Sequence, residues 1–215
     1  MGTRLAGSAT VDGVKARARL DLTSALDGRI RRGARSRHAI VEALLDLIGR
    51  GVLQPTAQQV ADRAGVGIRS VFRHFSEMDS LYEAMASRLE GEAAQHVMGG
   101  QRTGTLRQRV HALIDQRATL FERISPYKRS ANLQRWRSRF LQDRHLRMQR
   151  RLRTDLLQWL PELEEEPADL VEAIDLVTSF EAWERLRSDR QLSEKAAAAV
   201  MERAALALVR TTEHK

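Results

Sequence analysis

The sequence contains no cysteine, which excludes disulfides, thiolate metal sites, cysteine nucleophiles and thiol-based redox sensing. It has only four prolines among 215 residues, with 42% hydrophobic and 30% charged residues, a balance that excludes collagen-like and largely disordered chains. No apolar run approaches the roughly 18 residues needed to span a bilayer. The arginine-bearing start lacks the apolar stretch and small-residue cleavage site of a secretory signal. A cytoplasmic protein that does not enter a membrane is therefore expected. Phosphate-cradling Gly-x-x-x-x-Gly-Lys, a nucleophile elbow and a metal-ligand cluster are all missing, and the six histidines include no i, i+4 pair. An enzyme is not expected, nor is a cofactor or a metal.

What is abundant is positive charge. A formal net charge of +8 favours polyanionic partners, among them nucleic acid, anionic membrane surfaces and acidic proteins. Its distribution is uneven: residues 102–153 hold 15 Lys and Arg against 3 acids, whereas residues 162–194 hold 3 against 11. Adjacent segments of opposite sign predict helices that lie against each other. The arginine run from Lys128 to Arg153 reads as a solvated helix face paired with the acids between Glu162 and Glu172 in preference to a second nucleic-acid surface.

Helical periodicity dominates from Ser36 onward, and no period-two strand pattern or internal repeat is present, so the fold class is all-α. Residues 1–32, rich in Gly, Ala, Ser, Thr and Arg, read as a flexible basic arm in which only Val14 to Leu26 has spacing for a short helix. Ile40, Val41, Leu44, Leu45, Leu47 and Ile48 predict a first helix stopped by Gly49 and Gly51. Thr56, with Gln59 three positions on, forms a capping-box pattern for a second helix over Ala57–Ala64. After Gly65-Val66-Gly67, helical spacing resumes from Ile68 to Phe75, and Ser76 is placed to cap a fourth helix carrying Leu81, Met85 and Leu89. Beyond Gly99-Gly100 longer segments are expected: one from about Pro126 to Leu160 bounded by prolines, one from Pro167 at its first helical position to Arg190, and one from Ser193 to Thr211.

The stretch from Gln59 to Phe72 has the spacing of a helix-turn-helix for steric reasons. Ala61 is small enough for two helices to cross closely, Gly65 can adopt the positive φ of the sharp turn, and Val60, Ile68 and Val71 supply contacts between the helices. In such a unit the second helix enters the major groove with its N-terminal residues against base edges, while the first crosses the phosphate backbone. Arg69 is the first choice for base reading, with Arg73 and Ser70 able to reach bases or phosphates and His74 able to donate to a phosphate. The isolated motif also suits an αα corner with solvated arginines.

Ile40 to Ile48, Thr56, Gln59-Val60-Ala61, Ala64-Gly65-Val66, Ser70-Val71-Phe72-x-His74-Phe75 and Leu81 together resemble the N-terminal domain of the TetR family of transcriptional regulators, over about residues 36–85. The resemblance implies a three-helix DNA-binding domain (33–80) followed by a larger helical domain (81–215) that binds a ligand and dimerises. It implies a homodimer on a palindromic operator, released by a small-molecule effector. Thr56, Gly67, Ile68, Arg69, Ser70, Phe72, Arg73 and His74 form the expected DNA-facing set. Two positions depart from the family pattern: Phe72 stands where tyrosine is usual and Met78 where lysine is usual, both of them usual phosphate contacts. Arg29, Arg31, Arg32, Arg35 and Arg37 are placed to compensate by reaching the adjacent minor groove or its phosphates, although the same residues suit a solubilising tail. Gly67 replaces the common serine cap, and glycine is an acceptable cap.

By the same resemblance the last two helices pair with their copies in a second subunit, with Leu170, Ile174, Val177, Leu206 and Val209 as candidate interface or core positions. Ligand candidates are His111, Arg117, Phe121, Trp136, Phe140 and Trp183, aromatics for apolar walls and His or Arg for a polar anchor. The alternative function is a helical interaction adaptor whose helix-turn-helix binds protein instead of DNA.

Overall fold

The computed structural model of the chain describes residues 30–97 and 102–210, and every element among them is helical. Helix α1 covers residues 30–49, α2 is Ala57–Ala64, α3 is Ile68–His74 and α4 is Met78–Val97. Then come α5 (Leu106–Arg135), α6 (Arg139–Trp159), a 3-10 turn at Pro161–Glu165, α7 (Ala168–Val177), α8 (Phe180–Glu184) running into a π turn at Arg185–Asp189, and α9 (Glu194–Arg210). The short helix expected over Val14–Leu26 lies outside the described residues.

Two cores organise these helices. The first gathers Ile40, Leu44 and Ile48 of α1, Val60 and Ala61 of α2, Val71 and Phe75 at α3, and Leu81, Tyr82 and Met85 of α4. Leu141 of α6 joins it, with Tyr127 and Ala131 of α5 packed alongside. The second core combines Val110, Leu113, Ile114 and Phe121 of α5 with Leu156 and Trp159 of α6, Ile174 of α7, Trp183 of α8 and Met201, Ala205 and Val209 of α9. The bundle is laced by the expected opposite charges, in Arg109–Glu162, Arg129–Glu184 and Arg153–Glu172, and by Arg187–Glu122 in the reverse sense.

Three boundaries differ from the sequence expectation, each for a local reason. First, α1 starts at residue 30, inside the expected arm, because its opening turns have something to pack on. The Arg37 guanidinium lies 4.8 Å from the centre of the Phe75 ring, and Gly33 sits against the His74 ring. Second, Pro126 lies inside α5 and does not start a helix. The Thr105–Gln108 capping box starts α5 twenty residues earlier, and beside the proline the Ser125 hydroxyl donates to the Phe121 carbonyl at 2.7 Å. The break falls instead at residues 136–138, where the Ser138 hydroxyl caps α6 by accepting from the Leu141 N–H. Third, the helix expected from Pro167 to Arg190 is divided. Pro167 is the cap residue ahead of Ala168, Thr178 ends α7, and the Ser179 hydroxyl caps α8 by accepting from Ala182 N–H at 3.1 Å.

Arg117 joins three helices at that division. Fully buried, it donates to the Thr178 carbonyl (2.6 Å), the Thr178 hydroxyl (2.7 Å) and the Leu152 carbonyl (2.6 Å). Desolvation pushes its pKa down to about 10, so it remains charged at neutral pH. Replacing it strands two buried carbonyls, so Arg117→Met is expected to destabilise the fold by about 2–4 kcal/mol, read from urea denaturation. Gly65, at φ +66, gives an independent check. Gly65→Ala meets no steric contact and is expected to cost about 1–2 kcal/mol through backbone strain alone.

Candidate nucleic-acid interface

The helix-turn-helix is held by its ends. At the start of α2 the Thr56 hydroxyl accepts from the Gln59 N–H at 3.2 Å while the Thr56 N–H donates to Gln59 Oε1 at 2.9 Å, completing the reciprocal capping box. At its end Gly65 takes the left-handed conformation. The Gly65 N–H reaches the Asp62 carbonyl and the Val66 N–H reaches the Ala61 carbonyl at 3.0 Å, so the free carbonyls of the last turn are satisfied. Gly67 then caps α3 with extended backbone and no side-chain bond. Asp46 of α1 binds both Arg50 (2.9 Å) and Arg63 (2.6 Å), tying the end of α2 to α1. Those two guanidiniums hold the Asp46 carboxyl below its ordinary pKa.

This frame sorts the side chains of α3. Val71 and the following Phe75 are buried in the first core, while Ile68, Arg69, Phe72 and Arg73 are exposed and Ser70 is half-buried. The Arg73 guanidinium donates to the Ser70 hydroxyl at 3.3 Å. Phe72 is 50% exposed, a large apolar ring left in water on the outward face. His74 is the member of the expected set that turns inward. Its Nε2 is buried without a hydrogen-bond partner, which removes that nitrogen from phosphate donation. Met78 packs against the first core, in accord with the absence of a lysine contact there.

Arg31, Arg32, Arg35 and Arg37 are exposed on the opening turns of α1. They are therefore presented on a helix clamped to α3 through the Arg37–Phe75 contact, and not on a flexible arm. Arg29 lies outside the described residues.

The six ligand candidates do not converge. Phe121 and Trp183 are neighbours in the second core, with ring centres 6.3 Å apart, and Arg117 is the buried clamp described above. His111 is exposed and bonds Glu202 of α9 at 3.0 Å and Asp115 at 3.3 Å, carboxylates that raise its pKa. Trp136 is 75% exposed in the turn between α5 and α6, and Phe140 packs part-buried on the first core.

A cleft opens elsewhere, among α4, α5 and α6. Tyr82, Met85 and Leu89 line it from α4, Ile124, Tyr127, Lys128 and Arg135 from α5, and Leu141, Arg144, His145 and Met148 from α6. The sequence reading missed these residues because it placed the helix boundary at Pro126. With the turn at 136–138, α5 and α6 run antiparallel and positions 128 and 145, on either side of it, come together. The Ser138 cap was the available signal.

Residues 40–85 match the family model of bacterial regulatory proteins of the tetR family. The chain is similar to a transcriptional regulator from Rhodococcus sp. Rha1, with 18% identity and a TM-score of 0.62 over 83% of this chain and 96% of that one. It is also similar to a TetR transcriptional regulator from Rhodococcus sp. RHA1, with 19% identity and a TM-score of 0.50 over 81% of this chain and 96% of that one. No curated protein matches. At such identities the solved structures establish the fold, and the match over the helix-turn-helix establishes what the fold presents. Residues 40–85 are thus a helix-turn-helix unit of the kind found in bacterial regulatory proteins of the tetR family, set in a fold that the chain shares with these two regulators.

Proposed function

We propose that the chain is a repressor that binds a palindromic operator as a homodimer and is released from it by a small-molecule effector. The observation that carries the DNA reading is the outward face of α3. It presents Arg69 and Arg73 beside the exposed Arg31, Arg32 and Arg35, none of which makes an ion pair among the described residues. An arginine at the start of a recognition helix can donate two bonds to guanine O6 and N7, and Arg69 occupies that position. Arg73, Ser70 and the Thr56 end of α2 supply phosphate contacts, and the exposed Phe72 offers its ring to a thymine methyl or a sugar. The arginines of α1 bind the flanking phosphates.

Dimerisation through α7–α9 rests on apolar surface that this single chain leaves in water. Leu176 of α7 is 65% exposed and Val200 of α9 is 44% exposed, beside the part-buried Leu170, Val177 and Leu206. Ile174 and Val209, proposed as interface or core, are buried in the second core. The two-fold pairing of this face sets two copies of α3 on half-sites about one helical turn of DNA, or a multiple of it, apart.

Mobility shifts on fragments selected from randomised DNA, repeated over a salt series, test the reading. Binding is expected to weaken steeply with salt, and failure at every salt concentration at micromolar protein would sink it. Arg69→Ala is expected to cost roughly 1–3 kcal/mol and to relax preference at one base pair of each half-site. A uniform loss on all sequences demotes Arg69 to phosphate contact. Leu176→Glu is expected to convert the dimer to a monomer in light scattering, because a carboxylate at the centre of an interface loses its hydration. An unchanged dimer moves the interface elsewhere.

A further inference from the structure

The cleft among α4, α5 and α6 has walls and charge that together describe a ligand. Its sides are apolar: Met85, Leu89, Ile124 and Met148, with the rings of Tyr82 and Tyr127. Its polar side is basic. Lys128 and Arg135 come from α5, Arg144 and His145 from α6, and the Lys128 ammonium and His145 Nδ1 lie 3.0 Å apart. From α8 the Phe180 ring sits 5.4 Å from the Lys128 ammonium and the Glu181 carboxylate acts on the group, itself accepting from Gln149 at 3.1 Å.

Two basic groups at hydrogen-bond distance are mutually unfavourable unless one is neutral. Desolvation lowers the pKa of both groups, Arg135 and Arg144 lower that of Lys128 further, Lys128 and Arg135 that of His145, and Glu181 opposes the shift in each. A structural role alone does not call for four basic side chains on the wall of an apolar cleft. An anion placed among them offsets the repulsion and accepts charge-assisted bonds where water is scarce.

We propose that this cleft binds an apolar organic acid, its carboxylate against Lys128, His145 and Arg144 and its hydrocarbon body along Met85, Leu89 and Met148. The proposal rests on the reading of the chain as an effector-responsive regulator and names the class of effector. The position of the cleft supplies the coupling. Its α4 wall belongs to the first core through Tyr82 and Met85, and that core also holds α3 through Val71 and Phe75. A body inserted between α4 and α6 therefore bears directly on the helix that leads into the DNA-facing unit.

Calorimetric titration of the full chain without DNA tests the site, using octanoate and benzoate against octanamide and benzamide as uncharged analogues of similar shape. At least one acid is expected to saturate one site per chain, about tenfold or more tighter than its amide. Lys128→Met is expected to weaken that acid about tenfold while leaving the amide unchanged. Arg144→Gln serves the same purpose if the first variant fails to fold. Saturation by neither acid, equal affinity for acid and amide, or an unaltered acid affinity in a folded variant overturns the proposal. The mobility shift of the ligand-free chain reports on the regulator reading separately, so acid binding without DNA binding would sink that reading and not the cleft.

Discussion

The structure depends on α5 touching both cores. Its 30 residues span about 45 Å at the helical rise, long enough for Val110 to Phe121 to fill the second core while Tyr127 and Ala131 pack on the first. The join is made by one buried hydroxyl. Ser130 donates to the Leu53 carbonyl at 2.6 Å and meets the Tyr82 hydroxyl at 3.1 Å, bringing the loop before α2 and the start of α4 onto the same point. A polar group buried without partners costs about 1–3 kcal/mol. This site therefore selects one seating of the DNA-facing unit on the bundle, because most displacements would break both bonds.

Charge is divided by the same architecture. Within the bundle, arginines of α5 and α6 meet acids from the segment after Leu160, as in Arg109–Glu162 and Arg153–Glu172, and Arg187 returns the pattern with Glu122. Such pairs are worth little each at a solvated surface, but they join α5 and α6 to the acidic segment that follows. Arg69 and Arg73 of α3 and Arg31, Arg32 and Arg35 at the opening of α1 are exposed and stand outside those pairs. The Arg37–Phe75 stack makes the α1 arginines part of the same unit as Arg69.

Much of the first core was legible from spacing alone. Thr56 with Gln59, Gly65, and the apolar positions of α1 through α3 act within one or two turns of themselves, and capping, positive φ and amphipathic burial are local requirements that a sequence states directly. The outward set of α3 follows from the same periodicity, with His74 the exception. Its ring lies beside Gly33, forty-one residues away and in a segment whose own pattern is not helical.

The sequence by itself determined an all-helical chain, a helix-turn-helix with arginines on its second helix, and opposite charges in consecutive segments. Only the tertiary structure decided where α1 begins, that Pro126 is inside a helix, and which basic residues of α5 and α6 share a cleft. The reason is the range of the forces involved. A proline in a long helix is tolerated when packing on both sides outweighs the lost hydrogen bond, and burial of Arg117, Phe121 and Trp183 depends on which helices close over them. Pattern marks a side chain as apolar or charged. The partner that packs on it determines whether it becomes core, clamp or binding wall.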